Sequence, residues 1–311
     1  MKKVLALFVV FALALVGTAC NNSSQQGQTQ SSEENITVEH QLGKTELSRN
    51  PDKVVVFDFG VLDTLDQLGI EVAALPKSNV PNYLSKYEGN NYENAGTLKE
   101  PDFEKLSEIN PDLIIISGRQ QDLYQEFQKI APTIFMGVDY NDFMGSFEKN
   151  MQTLGKIFGK EKEIEQELVT IRSSIENLKQ KAAASKKTAL IVLANDNKVS
   201  AYGPKSRFGL IHDVFGLTAA DSSINASTHG QSISFEYIVE KNPDYLYVVD
   251  RSAAVTKKAS AKQTIENELV KKTKAYQNGN IVYLDPNIWY LSGGGLQSVS
   301  EMISEIDKSM K

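Results

Sequence analysis

One passage of this chain is written twice. Residues 103–119, FEKLSEINPDLIIISGR, return as residues 235–251, FEYIVEKNPDYLYVVDR, in the same register and without a gap. Each copy reads as a short helix, an Asn-Pro-Asp turn and an apolar run of strand length that ends on an arginine. The proline disfavours helix in the residue before it, so backbone sterics place the turn. Two equivalent α/β units are therefore expected, and they deliver Arg119 and Arg251 to the carboxyl ends of two strands. Open α/β sheets place their ligands at such ends. The expected fold class is α/β, with two similar lobes and a cleft that is cationic on both walls.

The rest of the chain fits around the repeat. Residues 36–49 alternate about Gly43 as a hairpin, Lys53 to Phe57 is a strand, and Leu62 to Leu68 has helical spacing that stops at Gly69. The α/β alternation continues to residues 132–136, and a helical stretch at 140–158 closes a first lobe of residues 36–158. A charged helical stretch follows, with Ile164, Leu168, Ile171, Ile175 and Leu178 along one stripe. Set between two α/β halves, it is expected to be a linking strut over residues 159–185.

A second lobe, residues 186–311, opens with strands Thr188 to Ala194 and Lys198 to Tyr202. Arg207 then lies in the glycine-bounded loop 203–209, ahead of a helix expected at Leu210 to Phe215, a favourable place for an anion. The loop lacks the Gly-Lys-Ser/Thr ending of a phosphate-binding P-loop. After the second copy come a helix at Thr264 to Leu269, a strand at Asn280 to Leu284, and Trp289-Tyr290-Leu291-Ser292-Gly293-Gly294-Gly295 before a last helix. Those glycines permit either close backbone approach to a ligand or a tight turn.

The amino terminus reads as an export signal. Met1-Lys2-Lys3 is basic, and Val4 to Val16 is apolar but too short for an ordinary membrane span. Residues 1–19 are thus a leader ahead of Cys20, the only cysteine, which is the expected lipidation site on the pattern of bacterial lipoproteins. Gly17 departs from that pattern, which usually has Leu or another branched aliphatic three residues before the cysteine. Residues 20–35, rich in Ser, Gln and Asn, cannot bury enough surface to fold and read as a tether. The expected location is the extracellular face of the cell membrane.

The formal charge is −6, and two units more negative without Lys2 and Lys3. Nucleic acid is excluded as a partner, since nothing supplies a basic face. Any attraction for an anion has to be local. The chain has only Arg49, Arg119, Arg172, Arg207 and Arg251 against many lysines, so the arginines are the residues to locate.

Taken together, the leader and Cys20, the hairpin followed by Asn-Pro-Asp-Lys-Val-Val-Val, the 203–209 loop, Thr228-His229-Gly230, Asp250-Arg251 and the Trp289 to Gly295 run resemble the ferric-siderophore-binding lipoproteins of Gram-positive ABC importers. The likeness is to the petrobactin-type, catecholate-binding members and covers almost the whole mature chain. It implies a class III periplasmic-binding-protein-like fold, two Rossmann-like lobes with central mainly parallel sheets joined by one long helix. It also implies a monomer with no permanently bound cofactor, a ferric siderophore as ligand, and a membrane permease with its ATPase as partners.

The resemblance assigns roles residue by residue. Its arginine triad matches Arg119, Arg207 and Arg251, and Trp289 is expected to line the pocket beside them. His229 and Tyr290 match positions that supply iron ligands to tetradentate complexes with two open sites. Histidine nitrogen and phenolate both suit ferric iron. The other reading of these two residues is a loop histidine and a pocket-wall aromatic. Glu104 and Glu236, paired by the repeat and set apart from the strand ends, match the glutamates that dock on the permease; the alternative is a helix N-terminal charge favoured by the dipole.

Competing classes are weaker. With only His40, His212 and His229 and no cluster, a zinc or manganese carrier is poorly supported. A hydrolase built on Ser232 and His229 lacks a Gly-x-Ser-x-Gly elbow after a strand. Another ferric siderophore, haem or a corrinoid are the neighbouring ligand classes, and a purely structural surface lipoprotein is the remaining possibility.

Overall fold

The computed structural model describes residues 35–310, and the leader, Cys20 and the tether up to Glu34 lie outside them. Strands β1 (Asn35–His40) and β2 (Gly43–Ser48) form the expected hairpin as a sheet of their own. The first lobe is then built on β3 (Val54–Val56), β4 (Ala74–Leu75), β5 (Glu93–Asn94), β6 (Leu113–Ile116) and β7 (Thr133–Phe135). Their order is β5-β4-β3-β6-β7 and every pairing is parallel. Val54, Val56, Leu113 and Ile115 pack into the core on one face, and Val55, Ile114 and Ile116 into the core on the other. All seven are fully buried. Strands covered on both faces read as unbroken apolar runs, and each such side chain contributes about 1.5–3 kcal/mol relative to exposure.

The second lobe carries β8 (Thr188–Asn195), β9 (Lys198–Tyr202), β10 (Thr218–Ala219), β11 (Gln231–Ile233), β12 (Tyr245–Asp250) and β13 (Ile281–Leu284). The order is β11-β9-β8-β12-β13, with β10 on β8. Here β9 runs antiparallel to both neighbours, so this sheet is mixed while the first is wholly parallel. The cause is local: the short Asn195–Lys198 connection is a hairpin, and a parallel crossover needs a dozen or more residues.

Between the sheets lies the linking helix Glu161–Ser185, with Ile164, Leu168, Ile171, Ile175 and Leu178 all buried along its stripe. It packs on the preceding helix Phe143–Phe158 and on the terminal helix Leu296–Ser309. The stretch expected from residue 140 becomes helical only at Phe143, because Asp142 caps it by accepting the Gly145 N–H at 3.1 Å. Two other helices are shorter than expected. Leu210–Asp213 is a single turn that ends ahead of Gly216 at φ +80°. The helix expected at Thr264 to Leu269 instead lies at Ala261–Ile265, since Asn267 Oδ1 accepts the N–H groups of Leu269 and Val270 and starts a separate turn.

The terminal helix leaves the second-lobe sheet after β13 and lies against the helix Phe59–Gln67 of the first lobe. Glycines make that approach possible. A Cβ on Gly295 would come within 1.9 Å of Asp63 Oδ1 and of the Gly60 carbonyl, and a Cβ on Gly60 within 2.9 Å of the Gly294 backbone. Gly294 and Gly295 therefore serve contact between helices.

Candidate functional site

The chain holds each arginine by a different local device. β6 ends at Ile116, and Arg119 sits three residues beyond it in a turn anchored by Gln120. Gln120 is 1% exposed; its Oε1 accepts the Ser117 N–H at 3.2 Å and its Nε2 donates to the Leu98 carbonyl at 2.6 Å. Arg251, by contrast, is the first residue of the helix Arg251–Thr256, capped by Asp250 through the Ala253 N–H at 2.9 Å. The second Asp250 oxygen accepts the N–H groups of Ser260 and Ala261 at 2.7 and 2.8 Å. Neither arginine is the last residue of its strand, as the sequence suggested. Arg207 lies in the 203–209 loop, which closes on itself through Gly209 N–H to the Ser206 carbonyl at 2.8 Å. A Cβ on Gly209 would meet the Lys205 and Ser206 nitrogens at 2.8 Å.

All three converge on Tyr290. Arg119 Nη2 and Arg207 Nη2 donate to the same Tyr290 carbonyl, at 2.9 and 2.6 Å. Arg251 Nε donates to the Tyr290 hydroxyl at 3.1 Å, and its Nη1 to Asn195 Oδ1 at 3.0 Å. The Arg207 guanidinium also lies over the Tyr290 ring, 4.3 Å from its centre, an attractive cation–π placement. Tyr290 belongs to a π-helical turn, Asn287–Leu291, closed by Ser292 N–H to the Asn287 carbonyl at 3.2 Å. Such wide turns recur at functional sites.

Charge follows from this crowding. Burial and then the neighbouring Arg207 hold the Arg119 guanidinium below its ordinary pKa, with Asp58, Tyr290 and Tyr140 opposing. Burial pushes the Tyr290 phenol up, but the charges of Arg207, Arg251 and Arg119 outweigh it and leave the phenol below its ordinary value. Among the described residues, Arg119, Arg207 and Arg251 form no ion pair with a carboxylate. The remaining two arginines do, Arg49 with Glu161 at 3.0 Å and Arg172 with Glu148 at 2.7 Å and Glu165 at 2.9 Å. The five arginines thus divide into two neutralised at helix surfaces and three left cationic between the lobes.

The remaining expected site residues differ in their surroundings. Trp289 is 2% exposed, and its indole N–H donates to Glu305 Oε2 at 2.7 Å, so it packs inside the core and lines no cleft wall. Successive residues of a helical turn point in different directions, which places Tyr290 on the arginines and its neighbour inside. His229 is exposed in the loop before β11; its backbone N–H reaches Ser227 Oγ at 3.1 Å, and its ring makes no hydrogen bond among the described residues.

Glu104 and Glu236 are exposed in the first turns of the helices Phe103–Ile109 and Phe235–Lys241. Both helices connect parallel strands, so their amino ends stand on the same side of each lobe as the arginines.

Gln120, Asn195, Asp58 and Tyr140 were not singled out from the sequence. Asn195 alone had a usable signal, a polar residue at the carboxyl end of an apolar strand. Among the described residues no group of three His, Cys, Asp or Glu side chains is placed to hold a metal ion.

Comparison with known proteins places the fold. The petrobactin-binding protein YclQ of Bacillus subtilis is 52% identical over 316 residues, covering 100% of both chains. Its crystal structure superposes with a TM-score of 0.88 at 54% identity, over 89% of this chain and 99% of that one. The periplasmic catecholate-siderophore binding protein VctP of Vibrio cholerae gives a TM-score of 0.85 at 39% identity, over 88% and 100% of the two chains. Residues 54–288, which include every strand of the two lobe sheets β3 to β13 and all three arginines, match the periplasmic binding protein family, and the chain belongs to it.

Proposed function

We propose that this chain is the substrate-binding component of an ABC importer and captures an anionic ferric catecholate siderophore, petrobactin-like, between its lobes. One observation carries the reading: three guanidiniums from both lobes meet at Tyr290 without a carboxylate partner among the described residues. A ferric complex of three dianionic bidentate catecholates carries about three negative charges, which three guanidiniums balance while donating to its outer oxygens. A neutral hydroxamate complex leaves the cations uncompensated, and selectivity arises there. The names of YclQ and VctP support the same ligand class. Nothing in the cluster is asked to do chemistry; the role is capture and delivery.

Calorimetric titration with ferric petrobactin, a ferric tris-catecholate and a ferric trihydroxamate tests this. Saturable binding of the first two and weak binding of the third is the expected result. Equal affinity for the neutral complex sinks the reading.

For tetradentate ferric complexes, Tyr290 and His229 take the two open coordination sites, and the lowered phenol pKa favours phenolate on iron. Tyr290→Phe and His229→Ala then weaken a bis-catecholate complex more than a hexadentate one; equal losses make both residues wall contacts. Cys20 carries the lipid that holds the chain at the extracellular face. Cys20→Ser releases it from membranes with unchanged affinity, and retention of the variant in the membrane fraction argues against that anchor. Glu104 and Glu236 dock on the permease, one from each lobe of a monomer.

A further inference from the structure

From within the terminal helix only Ser298 Oγ serves its start, accepting the Gly295 N–H at 3.0 Å. The helix is preceded by Gly295, which has nothing to offer the free N–H groups of the first turn. The cap comes from the other lobe. Thr64 Oγ1 accepts the Leu296 N–H at 3.0 Å, Asp63 Oδ1 the Gln297 N–H at 3.3 Å and Asp63 Oδ2 the Ser298 N–H at 3.1 Å. Gln297 Nε2 returns a bond to the Asp63 carbonyl at 2.9 Å. Asp63 is fully buried, a costly place for a carboxyl group unless its donors justify it.

The same carboxylate reaches toward the arginine cluster. Asp63 Oδ2 accepts the Tyr83 hydroxyl at 3.0 Å, and that hydroxyl lies 2.7 Å from Ser292 Oγ, two residues from Tyr290. Arg119 belongs to the first lobe and Tyr290 hangs from the second, so their 2.9 Å contact exists only while the lobes keep one relative placement. Arg119 and Arg207 carry like charge and repel across the shared carbonyl, so the placement needs a fixed link.

We propose that Asp63 is a positioning residue for the ligand site: by capping the terminal helix from the first lobe and holding Tyr83 on Ser292, it keeps Tyr290 where Arg119 and Arg207 share its carbonyl. Burial raises the Asp63 carboxyl to about 7 against its donors from Ser298, Tyr83 and Gln297. Of the groups bonded to it, only Tyr83 titrates, and burial drives that phenol far up. The link is therefore a network of neutral donors around one carboxyl, with no counter-charge.

This inference rests on the siderophore-binding reading for its affinity test and has a ligand-free test as well. Tyr83→Phe removes only the hydroxyl between Asp63 and Ser292, and Asp63→Asn removes one acceptor while keeping shape. Each is expected to weaken ferric petrobactin binding about three- to tenfold, the range of one hydrogen bond. In a double-mutant cycle the loss is non-additive with Arg119→Gln and additive with Arg251→Gln, whose partners all lie in the second lobe. Without ligand, the phenol transition absent from Tyr290→Phe moves to higher pH in Tyr83→Phe, because the Arg119 charge no longer sits beside it. Asp63→Asn could fail to fold, and Tyr83→Phe then carries both tests. An unchanged Tyr290 transition with unchanged affinity overturns the positioning role. A parent protein that binds no ferric catecholate refutes the functional reading, and the phenol titration then decides the positioning role alone.

Discussion

In the first lobe Asp102 caps a seven-residue helix through the Lys105 N–H at 2.9 Å, Asn110 ends it at φ 50°, and Asp112 Oδ2 accepts the N–H groups of Asp52 and Lys53 ahead of β3. In the second lobe Ser234, Asn242 at φ 41° and Asp244 take the same places, with Asp244 Oδ2 accepting the Thr188 N–H at 2.9 Å at the start of β8. The Asn-Pro-Asp turn is thus a clamp, closing a helix with its asparagine and fixing a neighbouring strand with its aspartate. The copies part company only beyond the strand. Arg119 stands in a turn and reaches into the opposite lobe, whereas Arg251 opens a helix and bonds within its own. The duplication preserves the scaffold, and the residues past each strand end make the site.

The strongest test of that division strikes the scaffold in both lobes. Ile114 and Leu246 occupy equivalent, fully buried positions, so Ile114→Ala and Leu246→Ala should each cost about 2–5 kcal/mol. Urea denaturation checks the losses, which should be similar in the two lobes. Siderophore affinity of the folded fraction should stay at the parental value; a large loss would mean that the strands do more than support.

Next in size are the residues beyond the strands. Arg119→Gln, Arg207→Gln and Arg251→Gln should each weaken binding of the anionic complex by roughly 1.5–3 kcal/mol, read by calorimetry, with little change in thermal stability. Three variants that bind like the parent would break the cationic-cleft account. A smaller effect is expected from Asn110→Ala and Asn242→Ala, which force an alanine into the left-handed region at about 1–2 kcal/mol each. Glycine at either position should restore most of that stability, and unequal responses would show that the two clamps are not equivalent.

The smallest effect in solution belongs to the paired glutamates. Both are exposed, so Glu104→Ala and Glu236→Ala should alter stability by less than about 0.5 kcal/mol and leave siderophore affinity intact. Cellular uptake should nevertheless fall, most in the double variant, since docking engages both lobes. Parental uptake by the double variant at normal surface abundance would return both to ordinary helix-terminal charges.

Much of the fold was legible because its signals act over a few residues. The apolar runs of β6, β8 and β12, the stripe of the linking helix and the paired Asn-Pro-Asp turns each arise from periodicity, capping and proline sterics. The misreadings were also local in origin. Within the Trp289 to Gly295 run only the tryptophan departs from the expected pocket, held on Glu305 inside the core, while Tyr290 beside it meets the arginines and Gly294 and Gly295 admit one helix to another.

By itself the sequence determined the duplicated α/β unit, the strut between the halves and the short roster of arginines. Only the tertiary structure decided which of them stay cationic. Arg119 and the carbonyl it shares with Arg207 are 171 residues apart, and the cap that Thr64 lends to Leu296 spans 232. Caps and periodic stripes are settled between neighbours along the chain. Charge pairing and shared acceptors are settled only when the two lobes pack, because side chains far apart in sequence then compete for the same few buried partners.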